Sequence, residues 1–72
     1  MAVKYFDICD TAFKRDSASG EVSILRVASD GSVYEDEPTQ CEASKFDRNW
    51  RDSSVISKET AYKLAVNPGL SY

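Results

Sequence analysis

The feature that most constrains the fold is the dipeptide Asp30-Gly31, the strongest local signal in the chain. A two-residue hairpin turn of type I′ needs positive φ at both central positions, which Asp tolerates and Gly adopts freely. Such a turn fixes the register of its strands, and each favourable cross-strand pair contributes about 0.2–1 kcal/mol. A two-residue turn at Asp30-Gly31 would create two such pairs: Val27 with Tyr34, and Arg26 with Glu35. The dipeptide therefore predicts a hairpin with strands over about 21–29 and 32–36.

The N-terminal stretch 2–13 also has the composition of a strand, since it is rich in β-branched and aromatic residues. As one continuous strand, it would place Phe6 and Phe13 on opposite faces. A turn at positions 17–18 would pair this strand with the next one and bring Phe13 opposite Val22. The three strands would then form an antiparallel meander in chain order.

One helix is predicted over 57–66. Ser57 is a good N-cap residue, and Glu59 lies in the first turn, where the helix dipole favours a negative charge. Apolar residues recur at helical spacing along one stripe: Ala61, Leu64 and Ala65. Asn67 can adopt the left-handed conformation that ends a helix, and Pro68 prevents the helix from continuing.

A chain of 72 residues has room for one domain, which we predict over 1–72. The predicted fold is α+β, a small three-stranded antiparallel β-meander with one C-terminal helix packed on one face. Both faces of the predicted sheet carry apolar residues, and one helix covers only one of them. We therefore expect the second face to be covered by a partner or by the 37–54 connection, with Phe46 and Trp50 as its anchors.

The charges are unevenly distributed along the chain. Twelve acidic and nine basic residues give a net charge of −3. Residues 21–42 contain one basic residue, Arg26, and six acidic ones, whereas residues 43–72 contain five basic and three acidic ones. The acidic total argues against a protein whose main role is to neutralise phosphates. A local basic patch at 45–51 remains compatible with the sequence.

Residues suited to catalysis are scarce. The chain has no histidine, so Cys9 and Cys41 have no imidazole to deprotonate them. It also has no nucleophile elbow and no glycine-rich phosphate-binding motif. We therefore expect a protein that is not an enzyme and that uses no cofactor.

The sequence predicts a cytoplasmic location. The N-terminus lacks the apolar core of a secretory signal, and no apolar run approaches the roughly 18 residues of a membrane span. Two cysteines do not make a disulfide framework, so Cys9 and Cys41 are expected to be reduced and partly buried. No association with a membrane is expected.

An acidic run ends the predicted hairpin: Tyr34, Glu35, Asp36 and Glu37. A calcium loop needs its oxygen ligands arranged around a glycine turn, and here Gly31 precedes the acids, so we expect no metal site. Charges at an exposed strand end protect a sheet edge from pairing with stray strands. They would also steer the protein towards basic partners.

The segment 45–52 interleaves basic and aromatic residues. Phe46 and Trp50 lie four residues apart, so their first interpretation is as core anchors of an irregular or briefly helical turn. The second is a protein-binding hot spot, where Trp and Arg are over-represented. The third is a stacking surface for single-stranded nucleic acid. Asp47 and Asp52 weigh against the third interpretation because they repel phosphates.

The sequence thus predicts a small non-catalytic interaction or regulatory protein. It would bind a protein partner, or itself as a homodimer, through an uncovered sheet face and the 46–51 segment. The candidate partner-binding residues are Phe46, Arg48, Trp50, Arg51, Tyr34, Glu35, Asp36 and Glu37. The alternative is a nucleic-acid-binding module that uses Arg48, Trp50 and Arg51. A mimic of nucleic acid is a variant of the first hypothesis and requires four acids on one exposed face: Glu35, Asp36, Glu37 and Glu42.

Overall fold

The computed structural model describes residues 3–68, so the ends of the predicted 1–72 domain and the first residue of the predicted 2–13 strand lie outside it. The elements in chain order are β1 (Val3–Ile8), β2 (Thr11–Asp16), β3 (Val22–Val27), β4 (Val33–Asp36), α1 (Gln40–Asn49), a 3-10 turn (Trp50–Asp52), β5 (Val55–Ile56) and α2 (Lys58–Val66). The strands form one antiparallel sheet in the order β4-β3-β2-β1-β5. The predicted three-stranded meander with one helix is therefore wrong, because the described residues form five strands and two helices.

The predicted N-terminal strand is in fact two strands joined by a tight turn. Cys9 and Asp10 have φ values of 52° and 62°, and Ile8 pairs with Thr11 across them. Positive φ at both central residues is the type I′ geometry. This turn was not predicted because neither of its central residues is glycine. The reversal places Phe13 opposite Phe6, so these rings share a face of the sheet instead of lying on opposite faces.

The Asp30-Gly31 hairpin forms with a three-residue loop in place of the predicted two-residue turn. Gly31 has a φ of 88°, whereas Asp30 does not have positive φ. The Gly31 N–H donates to the Ala28 carbonyl at 2.9 Å, and the Ala28 N–H donates to the Ser32 carbonyl at 2.8 Å. This pattern is a turn over 29–30 that is completed by a glycine bulge.

The extra loop residue shifts the register of β4 by one position. The observed pairs are Val27 with Val33 and Arg26 with Tyr34, in place of Val27 with Tyr34 and Arg26 with Glu35. A shift of one residue moves each β4 side chain to the other face of the sheet. The β2–β3 register differs by two residues from the prediction, since Phe13 pairs with Ile24 and not with Val22. A shift of two residues preserves the faces.

Helix α1 occupies ten residues of the 37–54 connection, in which we predicted only an irregular or briefly helical turn. Thr39 is its N-cap, and the Thr39 Oγ1 accepts a hydrogen bond from the Glu42 N–H at 3.2 Å. In return, the Thr39 N–H donates to the Glu42 carboxylate at 2.8 Å. This reciprocal arrangement is a capping box, and it fixes where the helix begins.

Helix α1 covers the sheet face for which we expected either a partner or the 37–54 connection. Its Phe46 is 3% exposed and packs in a cluster with four side chains of the sheet: Phe6, Ile8, Phe13 and Ile24. Val22 and Trp50 pack against the edge of this cluster. The alternative in which the 37–54 connection covers this face, with Phe46 and Trp50 as anchors, is therefore confirmed, and the uncovered sheet face expected to bind a partner is wrong.

Helix α2 confirms the predicted C-terminal helix and packs on the opposite face. The Ser57 Oγ accepts a hydrogen bond from the Thr60 N–H at 3.1 Å and caps it. Ala61 and Leu64 are buried against Ala12 and Leu25 of the sheet. The predicted left-handed end is wrong, because Asn67 has a φ of −134°. Neither α1 nor α2 is long and apolar enough to cross a bilayer.

Candidate functional site

The predicted basic and aromatic segment divides between the core and the surface. The rings of Phe46 and Phe6 meet edge to face with centroids 5.7 Å apart, so Phe46 offers almost no surface to a partner. Trp50 is half-buried, and Arg48 and Arg51 are exposed. Arg51 lines a groove beside Trp50, whereas Arg48 is not among the residues that line it. The structure therefore brings Trp50 and Arg51 together and leaves Arg48 apart.

The Trp50 ring is surrounded by aromatic and cationic neighbours. The Phe46 ring lies parallel to it, with an angle of 3° between the planes and 6.0 Å between the centroids. The guanidinium carbon of Arg15 lies 4.5 Å from the Trp50 ring centroid, and that of Arg51 lies 5.0 Å from it. Such cation–π contacts contribute about 0.5–1 kcal/mol each at exposed sites. The indole thus orients two guanidinium groups from distant parts of the chain.

These three side chains line two adjoining depressions that together form one groove. The larger depression, of about 530 Å³, lies between α1 and the β2–β3 hairpin and is also lined by Val22. The smaller one, of about 210 Å³, extends to Lys4 on β1. Arg15, Trp50 and Arg51 belong to both. We call this combined surface the Trp50 groove.

The Trp50 groove carries a positive charge. Lys4, Arg15 and Arg51 line it together with one carboxylate, that of Asp47. Within residues 3–68, neither guanidinium forms an ion pair with a carboxylate. A guanidinium presents a planar fork of donors that matches a carboxylate or a phosphate. The groove therefore offers two oriented anion-binding groups beside an aromatic ring.

Lys4 and Arg15 were not among the predicted site residues. They lie on β1 and β2, where they face each other across the ladder, and only the folded sheet brings them to Trp50. No local pattern of residues marks either of them. A contact that depends on strand pairing between distant segments leaves no periodic signal in the chain.

The acidic residues of β4 are divided between the two faces of the sheet. The Glu35 Oε2 lies 2.8 Å from the Lys14 Nζ on the face that α2 covers, and this hydrogen bond raises the pKa of Lys14 above its ordinary value. The Asp36 Oδ2 lies 2.8 Å from the Arg26 Nε on the face that α1 covers. Glu42 is also paired with Arg26. The requirement for a nucleic-acid mimic, four acids on one exposed face, is not met.

Arg26 links β3 to β4 and α1. It donates two hydrogen bonds to the Glu42 carboxylate, at 2.7 and 3.3 Å, and one to Asp36 at 2.8 Å. The hydrogen bonds to Glu42 have the largest effect on the pKa of Arg26 and the bond to Asp36 the next largest. Together they hold this pKa above its ordinary value. Partial burial pushes the pKa of Glu42 upward. The hydrogen bonds from the Thr39 N–H and from Arg26 outweigh burial, so the pKa of Glu42 lies below its ordinary value.

A second surface lies along β4 at the edge of the sheet. Among the described residues, three of the four exposed large apolar side chains are found near it: Val27 (39% exposed), Tyr34 (44%) and Val66 (58%). A groove of about 440 Å³ lies between β4 and α2, and it is lined by Val33 of β4, by Asn67 and by four residues of α2: Glu59, Tyr62, Lys63 and Val66. We call it the β4–α2 groove. Tyr62 and Val66 were not among the predicted partner-binding residues.

The two thiols are far more accessible than expected. Cys9 and Cys41 are both exposed and unbridged, which corrects the expectation that they are partly buried. Within residues 3–68, no three His, Cys, Asp or Glu side chains are arranged to hold a metal ion.

No protein-family model, no curated protein and no solved structure matches this chain. Its two grooves must therefore be interpreted from their own chemistry.

Proposed function

We propose that this chain is a non-catalytic protein-interaction module that binds an acidic segment of a partner protein in the Trp50 groove. The observation that carries the proposal is the pair of guanidinium groups, from Arg15 and Arg51, held against Trp50 without carboxylate partners in the described structure. Trp and Arg dominate the energetics of protein interfaces. Carboxylate side chains of a partner would satisfy the guanidinium donors, and an apolar residue would pack on the exposed part of the indole.

An acidic protein segment fits this groove better than a single-stranded nucleic acid. Base stacking needs an open aromatic face. Here Phe46, Arg15 and Arg51 already lie against the Trp50 ring. A nucleic acid also brings a row of phosphates that extends beyond the groove, where the net charge of −3 of the protein repels it. A short acidic segment needs only the local positive charge.

We place this activity in the cytoplasm as part of the same proposal. Exposed, unbridged thiols at Cys9 and Cys41 suit a reducing compartment. Electrostatic attraction to the groove would raise the association rate and would weaken as salt increases.

Selection from a phage-displayed library of random dodecapeptides tests the proposal without a known partner. We expect peptides selected on the wild-type protein to be enriched in Glu and Asp next to apolar residues. Because Trp50 is the only tryptophan, its fluorescence reports binding of the selected peptides directly. Arg51→Gln should weaken their affinity by about tenfold or more, the amount that one charge-assisted hydrogen bond contributes. Arg48→Gln is the matched control, since it removes the same charge outside the groove, and should change little.

Three outcomes would overturn the proposal. Selected peptides without acidic residues, or peptides that bind Arg51→Gln as tightly as wild type, would exclude an acidic segment in this groove. Quenching of Trp50 by a single-stranded oligothymidylate at about 50 mM salt, with no response to the peptides, would favour nucleic acid instead. Dimerisation that is lost in Arg51→Gln would assign the groove to a second copy.

A further inference from the structure

We propose that β4 and the β4–α2 groove form a second binding site, which takes an extended segment of a partner protein as a sixth strand of the sheet. The partner segment alternates apolar and basic residues. This site lies on other elements than the Trp50 groove and does not depend on the function proposed for that groove. Three features of the molecule support this site: the hydrogen-bonding groups of β4, the groove beside it and the local charge.

The outer edge of β4 has backbone groups free for a further strand. Residues opposite each other in an antiparallel ladder alternate between hydrogen-bonded and non-hydrogen-bonded pairs. Because the Ala28 N–H bonds to the Ser32 carbonyl, the hydrogen-bonded pairs of this hairpin fall at Ser32 and Tyr34. The N–H and C=O groups of Val33 and Glu35 therefore point outward, away from β3. By comparison, the opposite edge strand, β5, has only two residues.

The acidic side chains of β4 do not block this edge. Glu35 reaches inward across β3 to Lys14 on β2, and Asp36 is held by Arg26 on β3. The charges therefore lie over the sheet and not beyond it. The protection that charged residues usually give to an edge strand is weaker here than the sequence suggested.

The β4–α2 groove supplies pockets for the side chains of the added strand. Alternate residues of a strand project to the same face. The side chains of the partner strand that project towards α2 would lie along Val33 of β4 and would contact Tyr62 and Val66 of α2. Val66 is 58% exposed, and burial of apolar side chains there would contribute about 25 cal/mol per Å². Strand addition beside a helix combines main-chain hydrogen bonds for affinity with side-chain pockets for specificity.

The local charge favours a basic partner strand over a second copy of this chain. Within the groove, Lys63 and Glu59 pair with each other and add no net charge. The four carboxylates of Glu35, Asp36, Glu37 and Glu42 are accompanied by two cations, Lys14 and Arg26, so an excess of negative charge remains. Two β4 strands paired about a two-fold axis would bring these acidic runs together, and like charges across strands are destabilising. A strand with Lys or Arg at alternate positions relieves the excess.

Synthetic heptapeptides test this proposal. The probe alternates Lys and Val, and one control alternates Glu and Val. A second control is the Lys-Val peptide with alternate backbone nitrogens methylated, which keeps every side chain and removes the donors along one edge. We expect the Lys-Val peptide to bind, the Glu-Val peptide to bind at least about tenfold more weakly, and the methylated peptide not to bind. Amide resonances of Val33 and Glu35 should shift on titration.

A pair of valine substitutions locates the site on the protein. Val66→Lys should weaken binding of the Lys-Val peptide at least about tenfold. Val55→Lys is the matched control, since Val55 is 57% exposed but lies on the opposite edge strand, and it should bind as wild type does. Both positions are exposed, so circular dichroism should show both variants folded. Arg51→Gln should leave this binding unchanged, which separates a failure here from a failure at the Trp50 groove.

The following results would overturn the proposal. Binding of the methylated peptide as tightly as the parent peptide would exclude strand addition. Equal effects of Val66→Lys and Val55→Lys would exclude the β4–α2 groove. A dimer in light scattering that Val66→Lys abolishes would show that a second copy occupies this edge.

Discussion

The Arg26 Nη2 donates a hydrogen bond to the Glu42 Oε1 at 2.7 Å and thereby ties β3 to α1. The same Glu42 oxygen accepts a hydrogen bond from the Thr39 N–H at 2.8 Å, which closes the capping box of the helix. One carboxylate therefore both starts α1 and attaches it to the sheet. Because α1 covers one face of the hydrophobic core, the stability of the fold should depend on the charge of this side chain.

We predict that Glu42→Gln lowers the free energy of unfolding at pH 7 by about 1 kcal/mol, the usual contribution of a helix cap. The pKa of Glu42 lies below its ordinary value in the folded protein, so folding favours the ionised form. The contribution of ionised Glu42 to the free energy of unfolding is fully present above the pKa of the unfolded chain, about 4.3. It is lost as the pH falls through the lower pKa of the folded protein. Urea unfolding of wild type and variant from pH 7 to pH 3 measures this difference.

Glu59→Gln is the control for this prediction, because Glu59 also lies in the first turn of a helix but is 82% exposed and pairs with Lys63 at 3.6 Å. An exposed pair of this kind contributes only a few tenths of a kcal/mol. The role assigned to the Glu42 charge would be incorrect if Glu42→Gln lowered the free energy of unfolding no more than Glu59→Gln does. It would also be incorrect if the loss caused by Glu42→Gln were as large at pH 3 as at pH 7.

Phe46 should act through stability and not through binding. It is 3% exposed and packs on Phe6 and on Phe13 at centroid distances of 5.7 and 5.2 Å. We expect Phe46→Ala to cost about 3–5 kcal/mol, enough to unfold much of a domain this small, and Phe46→Leu to cost about 1–1.5 kcal/mol. Urea unfolding followed by Trp50 fluorescence measures both. A folded Phe46→Ala variant with wild-type stability would contradict the core assignment.

The elements that the sequence predicted correctly are those set by local chemistry. The C-terminal helix has its cap at Ser57, its buried stripe at Ala61 and Leu64, and no competing interpretation. The Asp30-Gly31 hairpin was also placed correctly along the chain. Its register was not, because a glycine at positive φ suits both a two-residue turn and a three-residue loop, and these differ by one residue.

Helix α1, which was not predicted, could have been recognised in part from its sequence. Thr39 and Glu42 form a T-x-x-E capping box, a sequence signature of a helix start that Pro38 and the scattered charges obscured. The cation pair at the Trp50 groove was not predictable, since Arg15 reaches Trp50 only through strand pairing and helix packing. Local signals thus determine where helices and turns begin, and tertiary packing determines which side chains share a site.

In the three-residue loop of the β3–β4 hairpin, Gly31 has a backbone conformation that glycine adopts freely and that would strain other residues. Its φ is 88°, and a Cβ added there meets nothing within 4 Å, so an alanine would suffer only from the backbone conformation. We predict that Gly31→Ala lowers the free energy of unfolding by about 1 kcal/mol. Ser29→Ala, in the same loop without positive φ, should change it little. Thermal melts of both variants check this, and equal melting temperatures would contradict the loop geometry.

The thiols should react fully in the folded protein. Cys9 and Cys41 are both exposed and lie on a hairpin turn and in the first turn of α1, where nothing bridges them. We expect two thiols per chain to react with Ellman's reagent without denaturant. Cys9→Ser and Cys41→Ser should each leave one reactive thiol. Fewer than two in the wild-type protein would mean that a thiol is oxidised or covered by another chain.

The two hairpin aspartates should respond in opposite directions to replacement by glycine. Asp10 has a φ of 62° in the type I′ turn between β1 and β2, where glycine is preferred, so Asp10→Gly should stabilise the fold by about 0.5 kcal/mol. Asp30 has no positive φ, and its Oδ1 accepts hydrogen bonds from the Ser32 N–H and Oγ at 3.0 and 2.6 Å. Asp30→Gly should therefore destabilise it, because these bonds are lost and the unfolded chain gains freedom. The midpoints of urea unfolding show whether each variant is more or less stable than wild type. A more stable Asp30→Gly variant would contradict the three-residue loop and support the two-residue turn that the Asp30-Gly31 dipeptide predicted.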